Sequence, residues 1–207
     1  MNRLSKSIAC LAPLALALSA CSGADDAAAP QTRQDPGEPP LEGATIGAPF
    51  TLTGEDGEPV SWDDFDGQYR TLYFGYTFCP DVCPVDTGRA MAGLKQFAEK
   101  APERAAKVQP LFISVDPQRD TPEVLREFTD QFHPRLIGMT GSTEELDKVV
   151  KDFAAHYSIG DEGAGGGYLV DHTTITYLFG PEGEPIAILP TDEGADAVAA
   201  ELDKWVN

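Results

Sequence analysis

Leu72-Tyr-Phe-Gly-Tyr-Thr-Phe-Cys-Pro-Asp-Val-Cys-Pro84 decides how the rest of the chain is read. The apolar, aromatic run from Arg70 to Tyr76 predicts a buried central strand. It ends at two cysteines four residues apart, Cys79 and Cys83, each followed by a proline. From Val82 to Ala101 the apolar residues recur at helical intervals, through Met91, Leu94, Phe97 and Ala98. Pro84 suits the first turn of that helix, where its missing N–H costs nothing. A strand that feeds a helix through a cysteine turn puts sulfur at a helix N-terminus, where free N–H groups and the helix dipole favour thiolate. If both cysteines lie on the first turn they share one face, with Cα atoms roughly 6 Å apart. That geometry suits either a disulfide or one metal ion held between two sulfurs.

Working outward to the N-terminus, Arg3 and Lys6 precede a short apolar segment, Ile8 to Leu18, which is too brief to span a bilayer comfortably. Leu18-Ser-Ala-Cys21 resembles a bacterial lipobox, so residues 1–20 are expected to be a lipoprotein signal peptide and Cys21 the lipidated residue. Residues 21–43 are rich in Ala, Pro and acidic side chains and read as a flexible tether. The expected location is the cell envelope, with the protein held at a membrane by its N-terminal lipid and facing the periplasm or another extracytoplasmic space. Cys10 leaves with the signal and Cys21 is spent on lipid, so Cys79 and Cys83 remain for chemistry. One short disulfide loop adds little stability to a domain of this size. The net charge of -19 argues against nucleic acid as a partner and favours a basic protein surface.

Residues 44–207 read as one domain. Pro49 to Thr53 and Pro59 to Ser61 form an N-terminal strand pair around a Gly54–Gly57 turn. After the central strand and its helix, Val108 to Val115 is a second apolar strand. A helix follows through about Phe132, with Thr121 as cap and Pro122 in its first turn; Val124, Leu125, Phe128 and Phe132 point inward. Leu136 to Met139 is a short strand. Ser142-Thr-Glu-Glu145 is a capping box that opens a third helix, with Leu146, Val149, Val150, Phe153 and Tyr157 as its stripe. Gly160 to Gly167 is a flexible loop without the lysine of a phosphate loop. Thr173 to Phe179 and Pro185 to Leu189 form a hairpin, and a helix from about Gly194 to Val206 closes the chain on Val198, Leu202 and Trp205. This order predicts an α/β, thioredoxin-like fold: a mixed central sheet flanked by helices, with the strand pair added at the N-terminus.

Three chemistries compete for the cysteines. Thiol–disulfide exchange usually has two residues between them, whereas here there are three. The place where such oxidoreductases begin the facing strand with proline reads Asp171-His172-Thr173-Thr174, without one. Peroxide reduction asks for Thr three residues before the attacking Cys and Pro four before that; counting from Cys79 gives Tyr76 and Leu72. Metal binding would use both thiolates and the His172 imidazole, a soft set suited to copper, with thiolates favouring Cu(I) and imidazole serving either state. His172 would enter from the loop before the hairpin, over the cysteines.

Cys79-Pro-Asp-Val-Cys83-Pro84, Ser114-Val-Asp-Pro-Gln-Arg-Asp-Thr-Pro122 and Val170-Asp-His-Thr173, in that order, resemble the Sco/SenC family of thioredoxin-fold copper proteins, over about Thr45 to Asn207. The resemblance implies that Cys79, Cys83 and His172 bind Cu(I), Cu(II) or both, and that Cys79 and Cys83 also form a redox disulfide. It implies a metallochaperone rather than an enzyme, which takes copper from a donor and helps fill the dicopper centre of cytochrome c oxidase subunit II. The alternative is an extracytoplasmic thiol–disulfide oxidoreductase acting through the Cys79/Cys83 pair.

Five residues are candidates for supporting the site. Asp81 lies between the cysteines, as a charge near the metal or a helix-start acid. Asp116, Arg119 and Asp120 follow the second central strand, where an Asp–Arg pair can also fix the loop. Asp171 precedes His172 and is placed to orient it. Tyr76 and Phe78 are expected to shield the site, Met91 and Met139 to pack in the core, and His133 and His156 to lie near helix C-termini, where a cationic ring is favoured.

Overall fold

The structure, a computed structural model, describes residues 37–163 and 167–207. The expected signal peptide, the lipidated Cys21 and most of the tether lie outside the described residues. Packing begins a little before residue 44: Leu41, the one large apolar residue of the stretch, rests against the core and its N–H donates to the Ile186 carbonyl at 3.0 Å.

In chain order the elements are β1 (Thr51–Gly54), β2 (Pro59–Ser61), a 3-10 turn (Trp62–Phe65), β3 (Tyr69–Gly75), α1 (Val82–Lys100), the single turn α2 (Pro102–Ala105), β4 (Val108–Ser114), α3 (Pro122–Thr129), β5 (Ile137–Thr140), α4 (Thr143–Asp152), β6 (Tyr157–Ile159), β7 (Val170–His172), β8 (Thr176–Phe179), β9 (Pro185–Leu189) and α5 (Ala195–Trp205). Seven strands form one mixed sheet in the order β2-β1-β5-β4-β3-β8-β9. β3, β4 and β5 run parallel; β1, β2, β8 and β9 pair antiparallel. Every residue of β3 is buried, as expected for a central strand covered on both faces. No described helix is long and apolar enough to cross a membrane.

Two expectations about local structure change. Tyr157 does not continue the stripe of α4: the helix ends at Asp152, Ala154 turns the chain with φ 52°, and Tyr157 opens β6. The strand expected from Thr173 to Phe179 is divided. β7 pairs with β6 in a separate two-stranded sheet, Thr173–Ile175 cross over, and β8 then joins the main sheet. The cause is visible in the hydrogen bonds: the Thr173 N–H donates to the His156 carbonyl at 2.9 Å and the His156 N–H to the Thr173 hydroxyl at 2.9 Å, which holds this segment to the end of α4's turn. α3 stops at Thr129, so Phe132 packs from the turn beyond it. His133 lies in the turn just beyond α3 and accepts the Arg135 N–H on Nδ1; burial, with the nearby Arg135 charge, lowers its pKa and disfavours the cationic ring. Met91 and Met139 are core residues.

α1 and α5 pack closely through Gly93. A Cβ there would lie 2.5 Å from the Val198 Cγ1 and 2.9 Å from the Ala195 carbonyl oxygen. Gly→Ala inside a helix ordinarily gains about 1 kcal/mol, but overpacking a tight contact costs about 1–3 kcal/mol. Gly93→Ala is therefore expected to lower the denaturant midpoint. A raised midpoint would show that the α1–α5 contact gives way easily.

Candidate metal centre

β3 and β4 end side by side, with Gly75 opposite Ser114 in a parallel register. The site is built on those two ends. Beyond Gly75 the chain runs through Tyr76, Thr77 and Phe78 to Cys79, and α1 starts at Val82. Only Cys83 lies on the helix; Cys79 sits in the preceding loop, which corrects the expectation of a shared first turn. The two still meet, because the Cys83 N–H, free at the helix start, donates to the Cys79 sulfur at 3.4 Å.

His172, at the end of β7 rather than in a loop, reaches across to them. Its Nε2 lies 3.0 Å from the Cys83 Sγ. Its Nδ1 lies 3.1 Å from the Thr173 carbonyl oxygen, which only accepts. That bond assigns the proton to Nδ1 and leaves the Nε2 lone pair facing the sulfur, so the Cys83 S–H is the donor of the pair. Tyr73 and Tyr76 present themselves edge-on to the imidazole, with ring centroids 5.9 and 5.7 Å away. Cys79 and Cys83 are free thiols. Cys83 is fully buried, and burial, with the neighbouring Cys79, pushes its thiol pKa well above the ordinary value. Burial therefore outweighs the helix terminus at this sulfur, against the sequence expectation of a thiolate. Cys79 and His172, each 9% exposed, line a cavity of about 390 Å³ with Tyr76, Asp81, Val82 and Leu169.

The two sulfurs and a histidine ring nitrogen all lie within 4.8 Å of one another. Donors placed about 2.0–2.3 Å from one centre in a trigonal arrangement are roughly 3.5–4 Å apart, so the three fit a single ion after a small outward shift of the Cys83–His172 pair. Two thiolates and an imidazole are a soft set that suits copper.

The five supporting candidates divide sharply. Asp120 is fully buried and accepts from the Thr77 N–H at 2.8 Å, the Thr77 hydroxyl at 2.6 Å and the Ser114 hydroxyl. It thereby fixes the loop two residues before Cys79; burial raises its pKa above the usual carboxylate range, and those donors offset only part of that rise. Asp116, also fully buried, binds the Arg119 Nε and accepts from the Tyr168 hydroxyl at 2.6 Å. The Arg119 guanidinium lies 3.7 Å over the Tyr168 ring and 5.1 Å from that of Phe78, and its Nη1 donates to the Tyr168 carbonyl at 3.0 Å. This trio ties the cysteine loop to the segment entering β7. Asp171 is exposed on the opposite face of β7 from His172, because alternate residues of a strand point to opposite faces. The Thr173 carbonyl orients the ring instead. Asp81 is exposed and caps nothing with its side chain. Tyr76 covers the site, but Phe78 is 53% exposed and does not. Sequence reasoning missed Thr77, Tyr73 and Tyr168. Tyr73 alone left a signal, lying on the strand that feeds the cysteines.

Comparison with known proteins followed from this geometry. The SCO1/SenC family profile matches residues 38–207. Protein SenC of Rhodobacter capsulatus is 48% identical over 139 residues, 67% of this chain and 61% of that protein. The human mitochondrial SCO1 homolog is 37% identical over 157 residues, 76% of this chain and 52% of that protein. The chain thus matches about half to three fifths of the length of these curated relatives. The crystal structure of Arabidopsis thaliana ScoI with copper bound superposes with a TM-score of 0.71 at 36% identity, covering 77% of this chain and 97% of that one. The expected thioredoxin-like fold stands on these likenesses.

The two thiols are expected to differ in reactivity. Cys79 opens on the cavity, whereas Cys83 is buried and held protonated. A limiting alkylating reagent at neutral pH should modify Cys79 first, with Cys83 at least about tenfold slower, as its thiolate is scarce. Peptide mass mapping of singly labelled chains reads this directly; equal labelling would contradict the burial argument.

Proposed function

The chain belongs to the SCO1/SenC family, and we propose that it is an extracytoplasmic copper-binding protein that assists assembly of the dicopper centre of cytochrome c oxidase. One observation carries this reading: Cys79, Cys83 and His172, more than eighty residues apart along the chain at the extremes, converge within 4.8 Å. Copper is the cargo, held by those two sulfurs and the His172 Nε2. Thr173 keeps the imidazole in the tautomer that offers Nε2, and Asp120 and the Asp116–Arg119–Tyr168 trio hold the two ligand-bearing segments in place. Three ligands at the wall of an open cavity allow the metal to leave by ligand exchange, one donor at a time. A closed four-cysteine cage would retain it.

The partners in this reading are a copper donor and subunit II of the oxidase. The chain is a metallochaperone rather than an enzyme; its cysteine pair, when oxidised, closes as a disulfide and empties the site. Residues 1–20 serve as the lipoprotein signal, Cys21 carries the lipid, residues 21–43 act as tether, and residues 44–207 work in the cell envelope outside the cytoplasm. The oxidoreductase alternative gives His172 no task, and that is its weakness.

Copper must displace the proton that Cys83 shares with His172. The Cys83 pKa lies above neutral pH, so its thiol is protonated before binding and releases its proton on binding. Affinity is expected to fall as pH falls, by about tenfold per unit for each thiol proton released. An anaerobic titration of the reduced chain should show one copper bound per chain. His172→Ala and Cys83→Ser should each weaken it by about 10–100-fold. Weak binding that ignores His172, together with disulfide exchange that also ignores it, would overturn this reading in favour of the oxidoreductase.

A further inference from the structure

Most of the large apolar side chains left in water gather around two neighbouring depressions. Six are strongly exposed among the described residues: Phe78, Val82, Val85, Ile159, Leu169 and Ile188. Four of them line two connected depressions. Leu169 and Val82 belong to the cavity at the cysteines. Val82, Val85 and Ile188 line a trough of about 490 Å³ that runs between the first turns of α1 and the end of β9. The two depressions share Asp81, Val82 and Thr174, so the trough leads directly into the metal site. Exposures of 39% at Val82, 43% at Val85 and 45% at Ile188 are those of side chains that lack a cover. Contiguous apolar surface rimmed by polar groups marks an interaction site.

The rim identifies the chemistry of what covers it. Asp81, Asp86 and Asp192 line the trough with a single cation, Arg89. The Arg89 Nη1 is already committed to the carbonyls of Thr191 and Asp192, at 3.0 and 3.4 Å. The trough therefore presents net negative charge around an apolar floor. The chain's own N-terminal stretch is unsuited to it, since residues 22–43 carry Asp25, Asp26, Asp35, Glu38 and Glu42 against Arg33. A second copy is equally unsuited, with a net charge of -19 on each.

We propose that the trough between α1 and β9 is the docking surface for the protein that receives copper from this site, and that the recipient's contacting segment is apolar at its centre and flanked by Lys or Arg. The inference rests on the copper-exchange reading above and adds to it the place and character of the contact. A partner seated there meets the metal cavity at Asp81 and Val82, within reach of Cys79. Opposite charge steers the encounter and sets its orientation, and burial of Val85 and Ile188 holds it.

The test uses the 15N-labelled chain and two synthetic peptides of equal length, one an amphipathic Lys/Leu sequence and the other its Glu/Leu counterpart. The Lys/Leu peptide is expected to shift the amides of Val82–Arg89 and Ile188–Asp192. Val85→Ser should weaken that binding by about tenfold, roughly the loss expected for removing one buried anchor, while copper stoichiometry stays at its original value. Asp192→Asn, an exposed change that leaves the core untouched, should flatten the salt dependence of binding. Shifts elsewhere, no shifts, or equal binding of the Glu/Leu peptide would overturn the proposal. The soluble domain of oxidase subunit II is then added to the same labelled chain. Perturbation of the same amides supports the docking site with that recipient; mapping to another face overturns it. Should the Lys/Leu peptide map to the trough while that domain fails to bind, the docking surface stands and the recipient named above falls.

Discussion

Asp120 takes three hydrogen bonds on a carboxylate removed from water, and through them it fixes the segment between β3 and Cys79. Burying a carboxylate is costly unless donors replace the lost hydration. Here the donors are a backbone N–H and two hydroxyls, which come from the ends of both central strands. The carboxylate is therefore a joint: it makes the end of β4 and the start of the cysteine loop one rigid unit. The parallel pairing of β3 with β4 supplies the register that lets Thr77 and Ser114 converge on it. The same loop carries Cys79 to the start of α1, where the Cys83 N–H finds its sulfur.

The Cys83–His172 pair shares a proton that a bound cation must displace. Nε2 of His172 and Sγ of Cys83 are at hydrogen-bonding distance, and the Thr173 carbonyl holds the ring's proton on Nδ1, so the shared proton is that of the thiol. Burial sets the balance, because it penalises the thiolate more than the helix terminus rewards it. The low-dielectric surroundings that keep the thiol neutral also strengthen any bond between its sulfur and a cation. Affinity and proton release thus have a common origin in the apolar walls supplied by Tyr73 and Tyr76.

The central strand, the helix after Cys79 and the β-α-β order were legible, because periodicity and punctuation carry them; the meeting of Cys79, Cys83 and His172 was legible only through the fold layout and the family resemblance of the three motifs. Pro122 after Thr121, and Ser142 before Glu145, mark their helix starts as written. What was not legible depends on long-range partners. Tyr157 continues an apolar stripe in the sequence, yet Ala154 in the left-handed region ends the helix before it. Thr173 to Phe179 is uniformly strand-forming, and only the bonds to His156 divide it. Asp171 adjoins the ligand in sequence but points away from it, since neighbours on a strand face opposite sides. Arg119 and Asp116 could be placed at a strand end, but their partner Tyr168 comes far later in the sequence, beside a glycine-rich segment that gives no positional signal.

The small β6–β7 sheet has a consequence for how the site opens. His172 belongs to a ladder of three residue pairs that shares no strand with the seven-stranded sheet. Cys83, in contrast, is fully buried on α1, and Cys79 sits in the loop whose start Asp120 fixes to the ends of β3 and β4. The free energy of local unfolding is set by the contacts a segment must give up. Withdrawing the imidazole breaks a short ladder and the Thr173–His156 bonds beside it; withdrawing the Cys83 sulfur would disturb the buried face of α1. In the copper-binding reading proposed above, the imidazole on this small ladder is the donor placed to swing away first, and the Cys83 sulfur on the core helix the one placed to stay.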